Sequence, residues 1–361
     1  MKLPLLKSGR AKSEHLLLKM NFIKPKAEFD LISFGEVMLR LSPPDKDKIS
    51  QSEIFEKNCG GSEFNVASGA ANLGVRSALI TKLPKNKLGH FIARRVRYGN
   101  VSDDYIVWDD TDDMRLGVYY YESGVYPRKS AVVYDRRNSS VCSLELSEIP
   151  DDIYEKTRIF HISSISLALS PTLRSTALDV IKRMKKNGVA ISFDVNYRAA
   201  LWSEDDARKV VEWILPLVDI LFVSEETSRR MMQKTGTLDE IMKSYSDIYG
   251  CKIVATTRRE AVSPTRHNFG SRIYFDGKFY EEPHYRNIEV IDRVGSGDAY
   301  VAGVLYGILS DKDIESSMSY GNALSAIKNT VSGDMSISSI EEVDSVIKSH
   351  HATGVQDELV R

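Results

Sequence analysis

Near its C-terminus the chain reads Ile291-Asp292-Arg293-Val294-Gly295-Ser296-Gly297-Asp298-Ala299 and continues as an apolar run to Leu309. A glycine-rich loop that opens a helix leaves unpaired backbone N–H groups aimed at one spot, at the positive end of the helix dipole. That is an anion site. Asp298 falls in the first helical turn, beside whatever anion binds. A carboxylate there has the place of a base that deprotonates a hydroxyl while the amides hold the developing charge. An ordinary tight turn, with Asp as a helix-start residue, accounts for the same string.

Two other stretches carry chemistry. Cys59-Gly60-Gly61-Ser62-Glu63-Phe64-Asn65-Val66-Ala67 and its continuation to Gly74 are dominated by small residues. Ser62 is placed to cap a helix there and Gly74 to stop it. Such a helix lies close against a neighbour or a ligand, and Asn65, on its first turn, has an amide able to hold a hydroxyl. Further on, Tyr119, Tyr120, Tyr121 and Tyr134 accompany Arg128, Arg136 and Arg137. Aromatic faces with guanidinium forks suit a sugar that carries a carboxylate; an exposed hairpin edge guarded by charges reads the same way.

The elements that must position these residues follow from periodicity. Phe29–Met38 reads as a buried first strand ending in a glycine turn. Leu39–Asn58 is polar and extended, and with strands over 116–122 and 129–136 it makes a small separate sheet. From Arg158 strands alternate with helices: 159–165, 189–195, 220–223 and 252–257 as strands; 171–187, 204–215, 225–236 and 238–249 as helices. A hairpin at 273–280 leads into the loop before Asp298. This alternation indicates an α/β fold with a mostly parallel sheet covered by helices on both faces. Ligands of such sheets bind at the carboxyl ends of strands, which puts Asp194, Asn196 and Arg198 on the functional rim.

Composition narrows the classes. The 361 residues are 42% hydrophobic and 27% charged with a formal net charge of −1, so no basic surface for nucleic acid is indicated. Cys59, Cys142 and Cys251 form no Cys-x-x-Cys pair, which fits a reducing, cytoplasmic setting. No apolar run approaches the roughly 18 residues of a membrane-spanning helix. Residues 1–28 carry seven basic side chains against Glu14 and Glu28 and read as a disordered N-terminal extension. A P-loop string is absent, a dinucleotide fingerprint fails at Tyr300, and the histidines lack zinc-site spacing. Phosphoryl transfer, which needs mainly positioning and electrostatics, is the chemistry that remains.

The string Asp292–Tyr300 resembles the C-terminal signature of ribokinase-like (PfkB-type) carbohydrate kinases, and Gly60–Ala67, ending at Gly74, resembles their N-terminal signature. The resemblance covers residues 29–348, leaving 349–361 as a tail. Within the family the chain is most similar to 2-keto-3-deoxygluconate kinases. That likeness lies in Gly117-Val118-Tyr119, Tyr134-Asp135-Arg136, Ser192–Arg198 with Leu201-Trp202, and Lys328–Asp334. It implies a ribokinase-like fold with a small β-sheet lid, from 39–58 and 116–136, through which a homodimer forms. It implies ATP-dependent phosphorylation of the C6 hydroxyl of 2-keto-3-deoxygluconate, with ATP, Mg2+ and a monovalent cation as cofactors. Asp298 is then the base, and the amides of Gly295, Ser296 and Gly297 form the anion hole. Gly60, Gly61, Asn65, Tyr119, Tyr134, Arg136, Arg198 and Asp292 bind the sugar acid; Ser224, Thr256, Gly295 and Gly297 meet the nucleotide. Three departures stand out. Ser224-Glu225-Glu226-Thr227 replaces the family's Asn-x-x-Glu segment, so that Glu225 or Glu226 would serve Mg2+ through water. Thr256–Ala261 alters the Thr-x-Gly segment, and Ser296 replaces a glycine, keeping the N–H but limiting φ. The rival readings are a fructokinase or another kinase of the family, and a catalytically weak sugar-sensing homologue.

Overall fold

The computed structural model describes residues 20–263 and 265–352. In chain order the strands are β1 (Phe29–Phe34), β2 (Met38–Ser42), β3 (Glu56–Gly60), β4 (Ser77–Pro84) and β5 (Val101–Ser102). Next come β6 (Ile106–Asp109), β7 (Val118–Glu122), β8 (Ala131–Asp135), β9 (Thr157–Ser163) and β10 (Ala190–Asp194). Then follow β11 (Ile220–Phe222), β12 (Ile253–Ser263), β13 (Arg266–Phe275), β14 (Lys278–Glu281) and β15 (Tyr285–Glu289). The helices are α1 (Ser62–Asn72), α2 (Lys87–Tyr98), α3 (Ser164–Ala168), α4 (Pro171–Lys186) and α5 (Glu204–Ile214). After them come α6 (Glu225–Arg230), α7 (Leu238–Tyr249), α8 (Ser296–Leu309), α9 (Ile314–Asn329) and α10 (Ile340–His351).

The main sheet runs β12-β11-β10-β9-β1-β4 with all pairs parallel, as expected. β5 and β6 extend it in parallel beyond β4, and β13, β14 and β15 close the other end antiparallel. Successive strand side chains point to opposite faces. Ile32 and Phe34 therefore pack with Phe160, Ile191 and the apolar stripes of α4, α5 and α7. Leu31 and Ile159 pack on the other face with α1, α8 and α9. Covering both faces is what makes these strands continuous apolar runs in the sequence. The separate sheet, β3-β2-β7-β8, is built from the segments expected to form the lid.

The strand expected over 29–38 ends at Phe34, the hairpin expected over 273–280 begins at Arg266, and three further boundaries differ from expectation. The helix expected over 225–236 stops at Arg230, because the chain turns through left-handed φ at Gln233 and Gly236. β12 continues past Thr257 to Ser263, pairing with β13 through the charged residues Arg258, Arg259 and Glu260. Ser62 does not cap α1; Gly61 holds that position and the Ser62 hydroxyl points elsewhere. Of the extension expected over 1–28, residues 1–19 lie outside the described residues, as do 353–361 of the tail. Met20, Phe22 and Ile23 pack against the core beside α8 and α9, and the Lys24 carbonyl accepts from Arg158 Nε at 2.8 Å.

Candidate active site

α8 begins where the backbone turns left-handed at Gly295, φ 83°. A Cβ at that position would lie 2.0 Å from the Asp334 carbonyl oxygen, so both conformation and space require glycine. No side chain caps the helix, which leaves first-turn N–H groups without intrahelical acceptors. Asp298, 9% exposed, lies within this turn. Its Oδ1 accepts from Ser62 Oγ at 2.8 Å and its Oδ2 from Asn65 Nδ2 at 2.7 Å. Asn196 Nδ2 donates to Ser62 Oγ at 2.9 Å, tying the rim after β10 into the same chain of bonds. Burial pushes the Asp298 carboxyl up, while the hydrogen bonds from Asn65 and Ser62 favour its anion. The close approach of α1 that delivers these groups depends on the small residues seen in the sequence, with Gly69 against Ala302.

A second carboxyl, Asp194, stands at the end of β10 and accepts from Asn196 N at 3.1 Å. Burial, with the charges of Asp298 and Glu63 added, pushes it up to about 7. Glu63 is 1% exposed. It accepts from Ser163 N (3.0 Å), Ser163 Oγ (2.8 Å) and Ser166 Oγ (2.7 Å).

Behind the glycine loops lies a buried ionic knot. Arg40, on lid strand β2, donates to Asp334 Oδ1 and to Asp292 Oδ2, each at 2.6 Å, and stacks over Tyr121. The Tyr119 hydroxyl donates to the other Asp334 oxygen. Val294 N and Gly333 N donate to Asp292 at 3.0 and 3.1 Å. The structure thus places Asp292 behind the cleft wall, engaged by Arg40 and two backbone amides. Gly60 packs on the same knot, since a Cβ there would meet Asp334 Oδ2 at 2.0 Å. Lys328, fully buried, donates from Nζ to the carbonyls of Asp292 (3.2 Å) and Val331 (3.1 Å).

In front of the knot, Asp298, Asp194 and Glu63 line a cleft of about 680 Å³ between the small sheet and the main one. Gly60, Gly61, Asn65, Tyr119, Tyr134, Arg136 and Arg198 all reach it, as do Gly295, Gly297 and Asp298. Tyr134 is half exposed, with its ring 5.8 Å from that of Tyr119. Arg136 is bound to Glu36, which Ser139 also engages. Arg198 is exposed and, among the described residues, donates only to the Tyr197 carbonyl, at 3.1 Å. Ser224 and Thr256 stand apart from the cleft lining. Ser224 caps α6, accepting from Thr227 N at 3.0 Å, and the Thr256 hydroxyl is buried with no partner among the described residues. Glu225 and Glu226 are paired along α6 with Arg229 and Arg230. No cluster of three metal-binding side chains occurs among the described residues.

Sequence reasoning passed over Arg40, Arg259 and Arg293, which also bear on the cleft or its wall. Arg40 gave no local signal, because its partners are distant in the chain; Arg293 had one, its place two residues before Gly295.

The family model described as pfkB family carbohydrate kinase matches residues 28–341. The 2-dehydro-3-deoxygalactonokinase of Haloferax volcanii is 34% identical over 319 residues, 88% of this chain and 96% of that protein. The crystal structure of 2-dehydro-3-deoxygluconokinase from Thermotoga maritima superposes with a TM-score of 0.85 at 33% identity, covering 89% of this chain and 98% of that one. An uncharacterized sugar kinase from Pyrococcus horikoshii, solved in complex with ATP, gives 0.71 at 26% identity, covering 88% and 99%.

Proposed function

The chain belongs to the PfkB family of carbohydrate kinases, and from that premise we propose that it phosphorylates the C6 hydroxyl of a six-carbon 2-keto-3-deoxy sugar acid, 2-keto-3-deoxygluconate first, using ATP. The observation that carries the reading is Asp298, held by Ser62 and Asn65 on the floor of a cleft whose rim offers Arg198 with no ion-pair partner among the described residues. The names borne by the Thermotoga and Haloferax relatives, epimeric sugar-acid kinases, support it.

Gly60, Gly61 and Asn65 form the sugar floor, and Tyr119 and Tyr134 close it from the lid. Arg198 takes the substrate carboxylate with its planar fork, and Arg136, fixed by Glu36, borders it. Asp298 accepts the hydroxyl proton at one carboxylate oxygen as the oxygen becomes nucleophilic. The backbone amides of Gly295 and Gly297 hold the charge that accumulates opposite, whereas Ser296 N is engaged by the Arg293 carbonyl at 3.3 Å. ATP, when bound, supplies the activated phosphoryl group. A Mg2+ travelling on its phosphates asks the protein for only one or two carboxylates. Asp194 fits that need, because a carboxyl raised by burial beside Asp298 gains from a nearby cation; Glu225 and Glu226 do not, being paired along α6.

ADP release with 2-keto-3-deoxygluconate, its galactonate epimer, fructose and ribose tests the reading. Wild type is expected to prefer the acids, and Asp298→Asn to lose about 10²–10⁴-fold in kcat. No ADP above background with any sugar would sink the kinase reading. Sugar-acid binding without turnover would favour the second reading, a sugar-sensing homologue, for which the pairing of Glu225 and Glu226 away from the cleft is the supporting observation.

The same reading places the protein in the cytoplasm, consistent with three free cysteines, and as a homodimer through the lid. β8 is exposed along its whole length, with Val133 53% and Val132 41% exposed, which is unusual for a strand that stays unpartnered. Val133→Lys is expected to shift the species seen by light scattering from dimer to monomer; a wild-type monomer at micromolar concentration would remove the lid contact.

A further inference from the structure

Beyond Thr257, β12 leaves the parallel sheet and pairs only with β13, with Arg258 opposite Gly270, Arg259 opposite Phe269 and Glu260 opposite Asn268. Alternation puts Arg258 and Glu260 on one face, where they form an ion pair at 3.1 Å. Arg259 faces the other way and lines the active-site cleft. So does Arg293, two residues before Gly295. Among the described residues neither guanidinium has a hydrogen-bond or ion-pair partner, in contrast to Arg229, Arg230 and Arg272, each held by a carboxylate. The two also sense each other: the protein packed around Arg259, though it leaves the side chain in contact with solvent, and then the Arg293 charge hold it below its usual range, and burial first, then both arginines, depress His267.

Two like charges facing one cleft without a counter-ion repel each other, and a multivalent anion converts that repulsion into binding. Their position chooses which anion. The lid leaves the main sheet after β1, whereas Arg259 comes from β12, at the far end of the run β12-β11-β10-β9-β1. Arg198 follows β10, between them. The loop opening α8 thus divides the cleft into a lid side, with Asn65 and the tyrosines, and a β12 side with the two unpaired arginines. A single carboxylate would satisfy one guanidinium fork; a chain of phosphates presents enough non-bridging oxygens for two.

We propose that Arg259 and Arg293 form a two-guanidinium clamp for the phosphate chain of the nucleotide, on the side of Asp298 away from the sugar. The clamp rests on the kinase reading for the identity of its ligand, and it adds two full positive charges to the dipoles of the helix-terminal amides, Arg259 being itself part of the altered segment Thr256–Ala261.

Calorimetric titration of the full chain with ATP, and separately with inorganic tripolyphosphate, both with Mg2+ and without sugar, tests it. R259Q and R293Q are each expected to weaken both ligands about tenfold, and the double variant roughly a hundredfold. R259K should recover part of the loss, since it keeps the charge without the fork. R258Q, on the opposite face, is expected to stay within about twofold, as befits an exposed ion pair. Both clamp residues are exposed, so melting temperatures should match wild type. In turnover the double variant should raise KM for ATP and leave KM for the sugar acid nearly unchanged. Wild-type affinity for tripolyphosphate in the double variant would overturn the proposal, as would a rise confined to the sugar-acid KM. If wild type phosphorylates no sugar but the tripolyphosphate losses appear as stated, the kinase reading fails and the clamp stands.

Discussion

Asp298, Asn65 and Ser62 form a unit in which each side chain is useful because of the other two. Asn65→Ala removes one of the two hydrogen bonds to the carboxylate and leaves the other, so kcat is expected to fall about tenfold with little change in KM for ATP; equal loss in both would give Asn65 a different role. Arg198→Ala is expected to raise KM for the sugar acid by tenfold or more and to leave any slow activity on fructose nearly unaltered; equal losses on both would count against carboxylate binding. Asp194 makes a prediction about stability. Its carboxyl rises from 3.8 to about 7 on folding, so the native state binds the extra proton, and stability declines as pH rises across that interval. Asp194→Asn should therefore melt higher than wild type at pH 8, by a few degrees, and alike near pH 4; a constant difference would contradict the titration. Asp298 and Asn65 were legible because each sits in a short motif of glycines and small polar residues; Ser62 reads only as a helix cap, since its bond to Asp298 spans 236 residues. Arg40 was not, because it meets Asp334 across 294 residues and Asp292 across 252, and no local pattern reports a pairing at that distance.

The lid is held at its base by that pairing, and Tyr119 adds a second strand to the hold. Removing the cation strands two buried carboxylates, so Arg40→Met is expected to cost about 3–5 kcal/mol in urea unfolding at pH 7. Tyr119→Phe removes one hydrogen bond to a charged group and should cost about 1.5–3 kcal/mol. A loss for Arg40→Met no larger than that for Tyr119→Phe would mean that Asp292 and Asp334 find other partners. Most elements were readable from periodicity, since strands buried on both faces and helices with one apolar stripe leave opposite signatures. The boundaries at α6 and β12 differ from expectation for separate reasons. Left-handed turns at Gln233 and Gly236 follow a helix that ends at Arg230, and tertiary pairing with β13 carries the strand on through Arg258-Arg259-Glu260.

Across the whole molecule the cleft is assembled from distant parts of the chain: α1 and the small sheet bring Asn65 and Tyr119 to it, and α8 brings Asp298. The order of motifs made the fold legible, but not the ionic junction where those parts meet. Lys328 lies in that junction, its ammonium fixed between the carbonyls of Asp292 and Val331, and burial makes that charge harder to keep. A positive charge on a covalent tether cannot exchange with the buffer. Exchanging potassium for sodium or caesium at constant ionic strength is accordingly expected to leave kcat unchanged in the wild type. Lys328→Ala should instead make the rate follow the salt chosen, with ammonium ion restoring part of what the tether supplied. A wild-type rate that tracks the alkali metal would show that the monovalent cation implied by the family resemblance is required with Lys328 in place, whereas an indifferent rate would leave catalysis free of the ionic composition around it.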